Sequence, residues 1–268
     1  MAGNEMSFSQ YLLLKIPTIP LGIIIVVFSV IIAVGVLLLA RRFNPIERMK
    51  LHHDVAGPLF STVGVIYAVL LAFMVVMVWQ SFDDAKKDVI TEATHYADLY
   101  RDAQGFPEPQ KSRIRTSLTE YVETVVEDEW PRLAWGESSE QADVLFADLW
   151  DCYLDYEPQT ESEKVFFSES VRKLNEAGEL RTQRIEESRS GIHRTLWFIL
   201  LAGGLITLVY TSFFGSENYW SHLSMTTLFA VLIGLLIFIT VVLDYPFTGE
   251  MSISTDHFNT ILSMIKSS

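Results

Sequence analysis

Four stretches of the chain are long and almost purely apolar: Leu21 to Ala40, Leu59 to Trp79, Leu196 to Phe214 and Ser224 to Leu243. Each has about the twenty residues a helix needs to cross roughly 30 Å of hydrocarbon, and none carries a charge. Core helices of soluble proteins rarely run this far without a polar stripe. The pattern therefore predicts an all-α, four-span integral membrane protein with a helical-bundle insert between spans two and three. Its expected parts are an interfacial N-terminal segment (1–20), a first transmembrane hairpin (21–80), an acidic soluble bundle (81–194), a second transmembrane hairpin (195–246) and an amphipathic C-terminal tail (247–268).

The second span organises the rest. It follows a polar cluster, His52-His53-Asp54, and a Gly57-Pro58 pair expected to break the helix ahead of Leu59. Nothing after Trp79 stops a helix, so the charged run Ser81 to Lys87 reads as the same helix continuing to about Gln104, ahead of Gly105-Phe106-Pro107. Three more helices follow in the insert. Ile114, Leu118, Tyr121, Val122, Val125 and Val126 recur at helical spacing from Pro109 to Glu129, with Trp130-Pro131 expected to end or kink that helix. A third is expected over Ser139 to Tyr156, capped by Ser138 and carrying the stripe Ala142, Leu145, Phe146, Leu149, Trp150, Tyr153 and Leu154. Thr160-Glu161-Ser162-Glu163 fits the S/T-x-x-E capping box of the fourth, in which Gly178 and Gly191 are weak points. His257 to Ile265 puts Phe258, Ile261, Leu262 and Ile265 on one face, suiting either a membrane surface or the bundle.

Charge sharpens this division. Net charge is −13, and 26 of the 33 acidic residues but only 14 of the 20 basic ones lie in Ser81 to Arg194. Such a surface disfavours a nucleic-acid partner. Cys152 is the single cysteine, so neither an intrachain disulfide nor a cysteine-based zinc site is open to one chain. The first apolar block ends in Leu39-Ala40-Arg41-Arg42 without a small-residue cleavage pattern, and is expected to remain as a span rather than be removed as a signal.

Two groups of residues stand out. In the second span Gly64, Ala68 and Ala72 recur every four residues, a face that admits close helix approach, while Ser61, Thr62 and Tyr67 add hydroxyls in the same half. After the fourth span, Asp244-Tyr245-Pro246-Phe247-Thr248-Gly249 forms a helix-stopping turn. Asp244 opposes the macrodipole there, which calls either for a cation such as Lys86, Lys87 or Arg189 or for a hydrated acid at the membrane interface.

Together, His53-Asp54-x-Ala56-Gly57, then Gly64-x-x-Tyr67-Ala68-Val69-Leu70-Leu71-Ala72-Phe73, Phe82-Asp83-Asp84-Ala85 and Leu243-Asp244-x-Pro246-Phe247-x-Gly249 resemble a prokaryotic membrane family commonly labelled bestrophin-like, a domain of unknown function. The resemblance covers most of the chain. By analogy with bestrophins it implies a homo-oligomer, a pentamer, that conducts inorganic ions with the second spans lining the pore, held in the inner (plasma) membrane with its bundle in the cytosol. The chain departs from bestrophins in lacking a run of closely spaced pore aromatics. Phe60, Tyr67 and Phe73 are the nearest candidates.

The resulting expectation is an ion channel in a lipid bilayer, with His53 and Asp54 at the pore mouth and Ser61, Thr62, Gly64, Tyr67, Ala68 and Ala72 along the pore. The acidic bundle favours cations over anions. A non-conducting sensor or scaffold whose bundle binds a partner is the alternative. A membrane enzyme or a metal site built from His52, His53, Asp54, Glu217 and His222 is the weaker one, because adjacent histidines do not share a helix face. No nucleotide loop, nucleophile elbow or catalytic triad signature occurs, so no enzyme activity and no cofactor are expected.

Overall fold

The computed structural model describes residues 7–43, 53–212 and 218–267, apart from the side chains of residues 53–56. Phe214, Glu217, His52 and the first-loop cations Arg48 and Lys50 lie outside the described residues, as do the side chains of His53 and Asp54. The described residues contain helices and no strand. In order these are α1 (Phe8–Lys15), α2 (Thr18–Phe43), α3 (His53–Asp102), α4 (Gln110–Thr124), α5 (Trp130–Leu133), α6 (Glu140–Leu154), α7 (Glu161–Arg189), α8 (Arg194–Thr211), α9 (Tyr219–Leu243) and α10 (Asp256–Lys266). Four of them, α2, α3, α8 and α9, are long and apolar enough to cross a membrane. The chain divides into two compact units: residues 81–190 with 245–268, and residues 7–80 with 191–244.

In the membrane unit, α2 packs chiefly on α9. Small residues make this possible, because a Cβ on Gly234 would stand 3.0 Å from Val26 Cα and 3.1 Å from Ser29 Oγ. Tyr67, Leu71 and Met74 of α3 meet Ala33 of α2, Leu200 and Leu208 of α8, and Ala230 and Ile233 of α9 in one apolar cluster. Lipid-facing positions remain apolar and exposed, as bilayer solvent requires.

The bundle core gathers Ala85, Val89, Tyr96 and Leu99 of α3, Ile114, Leu118 and Tyr121 of α4, Leu149 and Tyr153 of α6, and Leu174 and Ala177 of α7. Phe258, Ile261, Leu262 and Ile265 belong to the same core, so of the two surfaces open to α10 its apolar face takes the bundle.

Local signals are corrected in four places. Helix α3 starts at His53 and runs unbroken through Gly57-Pro58 for 50 residues; proline so near a helix start removes few hydrogen bonds. Trp130-Pro131 does not end its helix: a π turn over Val125–Glu129, with Trp130 N–H bonded to the Val125 carbonyl, carries α4 into α5. The missing proline N–H is absorbed by that change of register. Ser139 rather than Ser138 caps α6, its Oγ accepting from Ala142 N at 3.1 Å. Gly178 leaves α7 intact and faces the Phe146 ring, 3.1 Å from where a Cβ would sit. The expected capping box does form: Glu163 N donates to Thr160 Oγ1 at 3.2 Å.

Candidate pore helix and its anchors

Helix α3 shows two faces within the membrane unit. Tyr67, Leu71, Met74 and Val78 fall at i, i+4, i+7 and i+11 and are buried. Elsewhere on the helix Ser61, Thr62, Ala68 and Ala72 are exposed, Gly64 is half-buried, and outside the adjoining residues and backbone of α3 no atom lies within 4 Å of where a Gly64 Cβ would be. Four of the expected pore residues, Ser61, Thr62, Ala68 and Ala72, are thus exposed, while Gly64, seven residues before the buried Leu71, borders the packed face. Tyr67 is 6% exposed and turned into the protomer, with its ring against Gly203 and its hydroxyl against Gly204 of α8. A phenol at that position fills the notch left by two glycines, which outweighs its polar tip. Of the candidate neck aromatics, Phe60 contacts Tyr210 and Phe229 within the protomer, whereas Phe73 is 71% exposed.

The hydroxyls on the open side have a defined orientation. Ser61 Oγ donates to the Gly57 carbonyl at 3.1 Å and Thr62 Oγ1 to the Pro58 carbonyl at 3.0 Å. With their protons spent on their own helix, both oxygens present only lone pairs outward.

Asp244 follows the last residue of α9 and is 6% exposed. Neither expectation from sequence holds: among the described residues no cation answers it, and it is buried rather than hydrated. Three neutral donors answer it instead: Ser9 Oγ at 2.7 Å, Ile192 N at 2.6 Å and Trp197 Nε1 at 3.3 Å. A carboxylate held by several N–H and O–H groups needs no counter-ion. Asp244 thereby ties α1, the entry to α8 and the end of α9 together. The turn beyond it is buried at Pro246 and Phe247. Pro246 accepts from Ile253 N at 2.8 Å, Phe247 stacks edge-on to Trp130, and Gly249 takes a φ of 88°, the left-handed region that favours glycine.

The bundle holds a site the sequence pattern did not bring forward. Arg184 is fully buried and donates to Glu92 through Nε at 2.7 Å and Nη2 at 3.1 Å, and through Nη2 to Glu129 at 2.8 Å. Arg181 joins Glu129 and reaches Asp143 at 2.7 Å. The guanidinium carbon of Arg184 lies 5.3 Å from the centre of the Trp130 ring. Although burial alone would raise it, the Glu129 carboxyl is held below its ordinary value by the two guanidiniums. Burial pushes the Glu92 carboxyl up, against the pull of Arg184. Glu129, four residues after the buried Val125, continues the apolar face of its helix and points at α7. One signal existed: Glu92 lies on the apolar face of α3 between Val89 and Tyr96, and Arg181 and Arg184 continue the buried row of Leu174 and Ala177.

The expected alternative of a metal centre loses His222, whose ring nitrogens both have protein partners. No metal-holding group of His, Cys, Asp or Glu occurs among the described residues.

A bestrophin-like domain matches residues 27–258 of the chain. The chain belongs to the bestrophin-like family. Its fold is shared with solved bacterial bestrophin homologues from Klebsiella pneumoniae. One point mutant matches over 90% of this chain and 98% of its own, at 13% identity and a TM-score of 0.64. Another matches over 92% and 98%, at 12% identity and a TM-score of 0.69. No match was found among curated protein sequences. Membership and fold together make this bestrophin-like chain a multi-pass membrane protein.

Proposed function

We propose that the protein is a homo-oligomeric, bestrophin-type ion channel in which the open face of α3 lines the pore. The observation that carries this reading is the division of α3. Ser61, Thr62, Ala68 and Ala72 are exposed and Gly64 is half-buried, while Tyr67, Leu71 and Met74 pack the helix into the protomer. Symmetry would turn each open position into a ring, with His53 and Asp54 at the mouth. A pentamer in the inner membrane, with the bundle in the cytosol, is the arrangement that the family resemblance suggests.

Cation preference over anion has two supports. Ser61 and Thr62 offer outward lone pairs and no free proton, which suits a cation and not a halide. The net charge of −13, concentrated in the bundle segment, raises local cation concentration and repels anions.

Current across a planar bilayer holding the intact purified oligomer under a salt gradient tests both parts. The expected result is a reproducible current whose reversal potential has the cation sign and whose conductance or selectivity changes in D54N. Silence from intact oligomers across voltage and pH replaces the channel by a non-conducting scaffold. An anion-sign reversal keeps the channel and removes the selectivity.

A further inference from the structure

One cleft in the bundle, of about 950 Å³, plays no part in the sites described above. It lies between the turn that joins α5 to α6 and the last residues of α7, and its charged walls are Asp128, Arg132, Glu137, Glu140, Glu186 and Arg189. Local sequence builds the turn. Gly136 takes a φ of 71°, its N–H donates to the Leu133 carbonyl at 3.0 Å and the Glu137 N–H to the Arg132 carbonyl at 3.1 Å, a glycine-closed helix end. The stem of Arg189 runs across that glycine, its Cγ 3.3 Å from where a Gly136 Cβ would sit.

Both arginines are pinned and only half used. Arg132 Nε donates to Asp128 Oδ1 at 2.9 Å; Arg189 donates through Nε to the Gly136 carbonyl at 2.9 Å and through Nη1 to Glu186 at 3.3 Å. Among the described residues nothing bonds to the Nη atoms of Arg132 or to Nη2 of Arg189, and nothing bonds to the carboxylates of Glu137 and Glu140. The cleft thus keeps unspent charge of both signs. A simple anion would meet the two free carboxylates there and a simple cation the two guanidiniums, whereas a ligand carrying both signs answers both pairs.

The chain holds this cleft close to the membrane. Ser190, on its edge, is four residues before α8 begins at Arg194, and Thr248, five residues after α9 ends at Leu243, donates through Oγ1 to the Ala134 carbonyl of the turn at 3.1 Å. Four and five extended residues reach at most about 14 and 18 Å. In the same turn Trp135 is 48% exposed, an indole of the kind that settles at a membrane–water boundary. We propose that the cleft binds the phosphoethanolamine group of a membrane lipid, its phosphate on Arg132 and Arg189 and its primary ammonium on Glu137 and Glu140. A choline lipid fits less well, because a trimethylammonium has no N–H to donate, and phosphatidylglycerol brings no cation to the two carboxylates. The site concerns lipid and holds whether or not the protein conducts.

The test uses the full-length protein, purified in detergent and stripped of lipid, with bound lipid counted by native mass spectrometry. Phosphatidylethanolamine, phosphatidylcholine and phosphatidylglycerol with the same acyl chains are titrated in turn. Phosphatidylethanolamine is expected to bind about tenfold more tightly than either of the others, and R132Q/R189Q to lose about that factor. E137Q/E140Q should lose the preference over phosphatidylglycerol. Phosphatidylcholine held as tightly as phosphatidylethanolamine, or a phosphatidylethanolamine affinity that both variants retain, overturns the site. Displacement of the lipid by an equal concentration of soluble phosphoethanolamine overturns the membrane as its source. If R132Q/R189Q does not assemble, E137Q/E140Q decides alone, because those carboxylates hold no partner among the described residues.

Discussion

The bundle and the membrane unit solve the burial of polar groups in opposite ways. In the bundle, buried polar groups reach across helices: Arg184 to Glu92 and Glu129, Arg181 to Asp143, Tyr96 Oη to Tyr121 Oη at 3.1 Å. In the membrane unit most hydroxyls turn back on their own helix: Ser29 on the Ile25 carbonyl, Thr207 on Gly203 and Thr240 on Leu236, at 2.9, 2.7 and 2.8 Å. A span enters hydrocarbon before its neighbours are packed, so a donor whose partner is four residues back is never unsatisfied. Helices that meet in water can leave their polar groups hydrated until the partner helix arrives. Cross-helix ion pairs then specify which helices meet, at the risk of stranding a charge if one member is lost.

The largest way to break this contrast is R184M. It leaves Glu92 and Glu129 buried without their shared guanidinium, and such a loss typically costs about 3–5 kcal/mol. The expected outcome is a strong fall in the unfolding midpoint of the purified protein, read by thermal melts in detergent. A fall of less than a quarter of that size would show that the ion pairs do not hold the bundle.

Smaller, and on the membrane side, is G234A. Its Cβ would press on the Val26 backbone, and overpacking of this kind costs about 1–3 kcal/mol. G64A meets open space and should alter protomer stability by no more than about 0.5 kcal/mol. Paired melts of the two variants sharpen the distinction between the closed seam of α2 with α9 and the open face of α3. Equal effects would mean that the α3 face is as tightly packed as the seam.

The last is a pH dependence at Glu187, a bundle carboxyl with one buried oxygen that no donor reaches among the described residues. Glu187 Oε2 is buried without a hydrogen-bond partner, and burial first, then the charges of Asp88 and Asp84, push its pKa up to about 7. The folded form thus binds this proton more tightly than the unfolded chain. Stability from that proton is complete below the ordinary glutamate value and is lost as pH rises through about 7. Melts from about pH 5 to pH 8 should fall in the wild type and be flatter in E187Q, which ought to be the more stable of the two at the upper end. Parallel curves would place the titration elsewhere.

What could be read from the chain was what repeats. Four uncharged runs of span length, the stripes of α4 and α6, and the Thr160 to Glu163 box are local patterns, and each depends only on helix geometry and the solvent around it. The open α3 residues were also legible, because small side chains every four positions share a face whatever lies opposite. Tertiary contact decided the rest. Tyr67 turns inward because Gly203 and Gly204 of α8 leave room for it, Asp244 is satisfied by Ser9, Ile192 and Trp197 from elements far away in sequence, and Glu129 meets Arg181 and Arg184 only once α7 packs beside its helix. A side chain's neighbours on its own helix follow from spacing, whereas its partners on other helices exist only once those helices are packed.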